Sequence, residues 1–195
     1  MTISDSTKTG NSVEQPSECY AHLLHNRAVI FDYVCANKVY WDGYYGTFLG
    51  VNKPRDKNIK APLELSLIET VFLVKENKIR VTENNRVVSL EELLAHSSKV
   101  VERFDALYRV YVDLKEREFV VRRGLKFGCD YLAYRYGPGI DHAPFGILVY
   151  NTGDKVDPIE FVRAGRLLHS VKKKLVVAIH GNDEISYYVF SWWKP

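Results

Sequence analysis

The sequence predicts a mixed α/β (α+β) chain in two successive parts. These are a small mixed N-terminal α/β domain and a second domain whose mixed central sheet is flanked by helices. Three observations carry this expectation. β-Branched and aromatic runs alternate with stretches of helical periodicity in both halves. Asp157-Pro158-Ile159-Glu160 supplies an N-cap, a proline at the first helical position and a glutamate at the third, which together start a helix. The continuous apolar run Leu175–Ile179 then reads as a central strand buried on both faces.

The polar segment Met1–Glu18 reads as a disordered tail, which sets the expected boundaries at 1–18, 19–98 and 99–195. Ala28-Val-Ile-Phe-Asp-Tyr-Val34 has strand composition. Leu63–Lys75 places Leu65, Leu67, Ile68, Val71 and Phe72 at helical spacing. Ile79-Arg-Val81 is a further strand, and Ser89 with Glu92 forms a capping box for a helix over Leu90–Ser97. In the second part, Val100–Lys115 reads as a helix with Val101, Phe104, Leu107, Tyr108 and Tyr111 on one face. Phe119–Arg122, Leu132–Arg135 and Gly146–Tyr150 read as strands, the last two separated by a Gly137-Pro138-Gly139 loop. The helix begun at Asp157 carries the stripe Phe161, Ala164, Leu168 and Val171, and Gly181-Asn182-Asp183-Glu184 turns the chain into a final antiparallel strand over Ile185–Trp193.

Composition narrows the classes. With 27 basic against 24 acidic residues the net charge is only +3, so a polyanion partner requires local basic patches. Cys19, Cys35 and Cys129 make no C-x-x-C pair, so neither a zinc site nor a disulfide framework is expected, and a reducing cytoplasm fits best. No signal peptide pattern opens the chain, and no apolar run approaches the roughly 20 residues that span a membrane, so a soluble cytoplasmic protein without a membrane partner is expected. Between Leu49 and Leu63 lies a surface loop with two prolines, whose Lys53, Arg55, Lys57 and Lys60 are either solvated charge or a phosphate-contacting arm.

Chemistry concentrates in the second part. Tyr134 and His142 flank the Gly-Pro-Gly loop, and Arg166, His169 and Lys173 are spaced to share one face of the following helix. A histidine is the natural proton donor near neutral pH. A tyrosine acts as a base only beside a positive charge, which Lys173 supplies if strand and helix pack together. That set suits cleavage of an RNA phosphodiester by its own 2′-hydroxyl. Tyr134 takes the hydroxyl proton, Lys173 stabilises the phosphorane and His142 protonates the departing 5′-oxygen, leaving 2′,3′-cyclic phosphate and 5′-hydroxyl ends. Because the nucleophile belongs to the substrate, no metal and no cofactor is called for. A metal-dependent DNA nuclease would need a carboxylate cluster, which Asp130, Asp141 and Glu160 do not obviously provide.

Arg123-Gly-Leu-Lys-Phe-Gly-Cys-Asp-Tyr-Leu-Ala-Tyr134, together with His142 and Arg166-Leu-Leu-His-Ser-Val-Lys-Lys173, resembles the signature of tRNA-splicing endonucleases, especially archaeal ones. Tyr44-Tyr-Gly-Thr and Leu63-Glu-Leu-Ser-Leu-Ile-Glu-Thr-Val-Phe-Leu-Val resemble the N-terminal domain of that family, and the likeness runs from about Asn26 to Trp193. The resemblance implies a C-terminal nuclease domain with Tyr134, His142 and Lys173 as its catalytic set. It also implies that Arg166 and an aromatic of the last strand, Trp192 or else Trp193, clamp a flipped bulge base. The basic loop is similar to an insertion in crenarchaeal-type catalytic subunits, with Lys53, or failing that Lys57, contacting RNA. The implied substrate is precursor tRNA and other bulge-helix-bulge RNA. The implied assembly is an (αβ)2 tetramer with a second, non-catalytic subunit, or a homotetramer, in which the acidic turn Asn182-Asp183-Glu184 inserts into a neighbour. A non-catalytic structural or RNA-binding subunit of the same splicing complex is the alternative reading, against which stands the retention of all three catalytic positions.

Overall fold

The computed structural model describes residues 18–182 and 184–193. The tail over 1–17 and Asp183 of the acidic turn lie outside the described residues. The first part contains β1 (Tyr20–Leu24), β2 (Arg27–Ile30), α1 (Tyr33–Gly43), β3 (Thr47–Phe48), β4 (Leu63–Ser66), α2 (Leu67–Lys75), β5 (Arg80–Glu83), β6 (Arg86–Val87) and α3 (Leu90–Val100). The second contains α4 (Phe104–Glu116), β7 (Val120–Arg123), a 3-10 turn at Leu125–Phe127, β8 (Tyr131–Tyr134), β9 (Phe145–Asn151), α5 (Pro158–Ser170), β10 (Lys174–His180) and β11 (Ile185–Phe190). Two mixed sheets result, ordered β3-β4-β2-β1-β5-β6 and β11-β10-β9-β8-β7.

Local chemistry accounts for most boundaries. The expected strand over Ala28–Val34 stops at Ile30, because Asp32 caps a helix by accepting from Cys35 N at 2.7 Å. The expected helix over Leu63–Lys75 begins four residues late. Its first residues form β4, paired with β2 and β3, and Ser66 and Glu69 form a complete capping box. The box at Ser89 and Glu92 forms as anticipated. The expected helix from Val100 splits, since Arg103 adopts a left-handed conformation (φ 56°) and α4 starts at Phe104. Arg103 is drawn away to the Val149 carbonyl and the Asp130 carboxylate.

Helix α4 lies between the sheets. Tyr111 meets Phe72 of α2 edge-on at 5.4 Å on one side and Tyr131 of β8 at 5.9 Å on the other. The Tyr131 hydroxyl donates to Leu107 O at 2.9 Å. One buried apolar cluster therefore runs from Ala21, Leu65 and Val71 through Val110 to Ile147 and Ala178. The cysteine expectation requires correction, because Cys19 and Cys35 are joined in a disulfide between the start of β1 and the first turn of α1. Their separation of 16 residues in sequence conceals Cα atoms only 5.5 Å apart, well within bridging range. Cys129 stays free and buried, and burial pushes its thiol up to about 11. No helix among the described residues is long and apolar enough to cross a membrane.

One half-buried cation has a measurable signature. Lys115 of α4 sits 4.5 Å over the Tyr45 ring, and burial, with Lys78 adding repulsion, pushes its amine down to about 8. The unfolded chain keeps that proton to about pH 10.4. Between these values the unfolded state binds more protons, so stability climbs with pH, and below 8 the penalty is present in full. Lys115→Met is expected to stabilise the fold at pH 7 by about 1–2 kcal/mol, after discounting for partial exposure. Thermal melts at pH 7 and pH 10 check this, the gain shrinking at the higher value.

Candidate active site

The α5 side of the second sheet presents the chemistry. Pairing puts Val120, Arg122, Leu132, Tyr134, Gly146, Leu148, Leu175 and Val177 on one face. Helix α5 closes on that face because Gly146 has no side chain, and a Cβ there would come 2.4 Å from Leu168, which is wholly buried. A second, smaller apolar cluster forms beneath, from Cys129, Leu132, Ala143, Leu168 and Leu175, with Phe127, Tyr134 and Phe161 packed against it. As anticipated, Asp157 caps α5 from its side chain, and β10 is a central strand, parallel to β9 and antiparallel to β11.

Tyr134 ends β8 half-buried, and the chain then forms a tied loop. The Asp141 carboxylate accepts from Arg135 N at 3.0 Å and Gly137 N at 2.8 Å, closing the loop across its base. Gly137 needs to be glycine twice over. Its φ is +125°, and a Cβ would come 2.6 Å from the Tyr44 ring. His142 follows this loop directly and is exposed, while its neighbour Ala143 is buried.

Lys173 departs from the expectation that it shares a helix face with Arg166. Helix α5 ends at Ser170, and Lys172 takes a left-handed conformation (φ 58°). Lys173 thus lies in the connection to β10. Its amine donates to Ala143 O at 2.9 Å and sits 5.5 Å from the Phe127 ring centroid. The structure therefore gathers Tyr134, the backbone beside His142, and Lys173 around the smaller cluster, but by a route that helix periodicity does not describe. Asp130 and Asp141 serve separate structural ends, Asp130 accepting from Val149 N at 2.7 Å and Asp141 closing the loop.

The charge beside Tyr134 is also not the one anticipated. Burial pushes its phenol up, the Arg122 guanidinium works against this, and Asp141 adds to the rise. Arg122 went unremarked in the sequence because its partners, Tyr44, Gly46 and Thr47, lie some 75 to 78 positions away. The pair Arg122-Arg123 just ahead of Gly124 was the only available signal.

Arg166 is exposed on α5, beside Val162 and Ile159, which are exposed too. Trp192 lies beyond the end of β11 rather than in the strand, and 47% of its surface is accessible. Its ring is 6.4 Å from that of His169, and it is the side chain nearest Gly165 after Leu175. Trp192 therefore rests against the stripe of α5 that carries Gly165 and His169, while Trp193 is 85% exposed. Lys53 and Lys57 are exposed on the loop after β3. That loop is held at its neck: Asn37 donates to Ile59 O at 2.7 Å and accepts from Ile59 N at 2.9 Å, and Leu49 N donates to Pro62 O at 2.9 Å.

Comparison with known proteins bears on both parts. Residues 19–94 match the family described as tRNA intron endonuclease, N-terminal domain, and residues 104–187 match tRNA intron endonuclease, catalytic C-terminal domain. The chain is 44% identical over 178 residues to a tRNA-splicing endonuclease of Hyperthermus butylicus, covering 90% of this chain and 98% of that relative. It is 42% identical to one of Saccharolobus islandicus, covering 89% and 98%. It is 39% identical to one of Saccharolobus solfataricus, covering 80% and 88%.

Proposed function

The chain belongs to the tRNA intron endonuclease family, as a tRNA-splicing endonuclease with the catalytic domain, and we propose that it cuts precursor tRNA at bulge-helix-bulge motifs by metal-independent transesterification. Tyr134, as phenolate, takes the proton from the 2′-hydroxyl at the cleavage site. The freed oxygen attacks the adjacent phosphorus, and the Lys173 ammonium stabilises the charge that develops on the phosphorane. The bond from phosphorus to the 5′-oxygen breaks as His142 gives that oxygen its proton. A 2′,3′-cyclic phosphate and a 5′-hydroxyl result, and solvent exchange restores the two protonation states.

The observation that carries this reading is the bond from the Lys173 amine to Ala143 O. It ties the cation to the residue next to His142, over the cluster that also seats Tyr134. Arg166 and Trp192 are read as a clamp for a bulge base, supported by Trp192 resting on α5 beside Gly165 and His169, the helix that also exposes Arg166; stacking of this kind contributes about 1–3 kcal/mol per base. Lys53, or failing that Lys57, is read as a phosphate contact from the basic loop. The test is cleavage of a bulge-helix-bulge RNA by the purified complex in EDTA, with the product ends identified. Cleavage undiminished by chelation, yielding cyclic phosphate ends, is expected. Loss of activity under chelation, or 3′-hydroxyl ends, would sink the mechanism.

The assembly is read as two of these chains with two non-catalytic partners. In support, β11 is an edge strand with Tyr188, Val189 and Phe190 exposed, an arrangement that monomers usually avoid. Native mass measured alone and after co-expression with a candidate partner tests it, and a tetramer formed by this chain alone defeats it.

A further inference from the structure

A single guanidinium joins β7 to the connection between α1 and β3. Arg122 donates to the carbonyl oxygens of Tyr44 and Gly46, and to Thr47 Oγ1 at 3.1 Å. Its guanidinium carbon lies 5.8 Å from the Tyr40 ring centroid. The acceptors are themselves held in place. Tyr44 is the left-handed C-cap of α1, with its N–H on Tyr40 O, and Gly46 N donates to the buried Glu69 carboxylate at 2.9 Å. A planar fork with this many fixed acceptors has little freedom left.

The same side chain faces the catalytic strand. Val120 pairs with Tyr134 and Arg122 with Leu132, so Arg122 is the diagonal neighbour of Tyr134 on one sheet face, within reach of a long side chain. Tyr44, whose carbonyl Arg122 binds, also receives the loop that leads to His142, through the close approach of Gly137 to its ring. The segment from Tyr40 to Thr47 thus bears on that loop where it leaves Tyr134, through Arg122 and through Gly137.

We propose that Arg122 is the positioning residue of this site, a cation mounted on the first part of the chain that holds Tyr134 in place and favours its phenolate. The proposal rests on the reading of Tyr134 as the base. The charged or titratable groups around Tyr134 are Arg122 from β7, Asp141 from the loop, Tyr40 from α1 and, across the smaller cluster, Lys173, whose amine is committed to Ala143 O. Of these, Arg122 opposes the upward push of burial on the phenol and Asp141 reinforces it.

Two substitutions separate charge from anchoring. Arg122→Gln keeps hydrogen-bond donors and loses the charge, whereas Arg122→Lys keeps the charge and loses the fork. Each is measured in the assembled enzyme by the pH dependence of single-turnover cleavage. Each is also measured by ultraviolet titration of Tyr134, taken as the difference from the same protein carrying Tyr134→Phe. With Arg122→Gln, the phenol titration and the basic limb of the rate profile are expected to move up by about one pH unit or more. Cleavage below that limb is then about tenfold slower per unit. Arg122→Lys is expected to titrate like the parent while cleaving more slowly. The proposal is overturned if Arg122→Gln leaves the titration unmoved, or slows cleavage equally at every pH, as a packing role alone would. Should Arg122→Gln not fold, a displaced titration in Arg122→Lys overturns it instead. If Tyr134→Phe cleaves at the parent rate, the base assignment itself has failed, and the titration still decides whether Arg122 sets the acidity of Tyr134.

Discussion

Replacing His142 by alanine is expected to slow cleavage of a bulge-helix-bulge RNA by about 10²–10⁴-fold in single turnover, the usual worth of a positioned general acid. Binding of the RNA should be almost untouched, because His142 is exposed and lies outside the closed loop that Asp141 ties together. The chemistry allows a sharper check. A substrate whose scissile 5′-oxygen is replaced by sulfur carries a leaving group that needs no proton. His142→Ala should cleave that substrate at nearly the parental rate. A variant that stays equally slow on the sulfur substrate has lost something other than proton donation, and the role of His142 in the mechanism is then wrong.

Lys173→Ala is expected to be the other severe loss. Removing a preorganised positive charge aimed at a developing oxyanion typically costs about 10²–10³-fold in rate. Here the amine has a second duty, since Ala143 is buried and its carbonyl accepts from Lys173. The substitution therefore also strips a donor from backbone adjoining His142, and about 1–3 kcal/mol of stability is at risk for a buried acceptor left without a partner. The two effects separate experimentally. A melting curve reads the second, and single-turnover cleavage well below the melting temperature reads the first. Unlike His142→Ala, this variant should gain nothing from the sulfur substrate, because the phosphorane still forms without its cation.

The trio proposed for catalysis, Tyr134, His142 and Lys173, was legible as residue types in an order, and the start of α5 as signals at Asp157, Pro158 and Glu160. Where α5 ends was not legible. Lys172 takes a left-handed conformation that sequence usually announces with glycine, so a helical period continued through Lys173 reads well and is wrong. The strand in Leu63–Ser66 was hidden differently. Its alternation is only four residues long, too short to outvote the helix behind it, although the Ser66 and Glu69 capping pair marked the boundary. The cysteine bridge and the mount of Arg122 were beyond reach for a common reason: each joins segments whose adjacency exists only after the first sheet has formed. Trp192 escaped the strand assigned to it because pairing with β10 ends at Phe190.

The neck of the loop after β3 has an evolutionary consequence. Asn37 and the Leu49 to Pro62 bond close it, Val51 packs against the core, and most of the residues from Asn52 to Asn58 are exposed. For a flexible loop, doubling its length costs only about 0.6 kcal/mol in closure entropy. Length and charge there can drift through insertion and deletion with almost no tax on folding, while the face of the second sheet that carries Tyr134 is left as it was. With Lys53 in the RNA-contacting role proposed for it, descendants of one ancestral gene can therefore diverge in which RNAs they grip before they diverge in how they cut them.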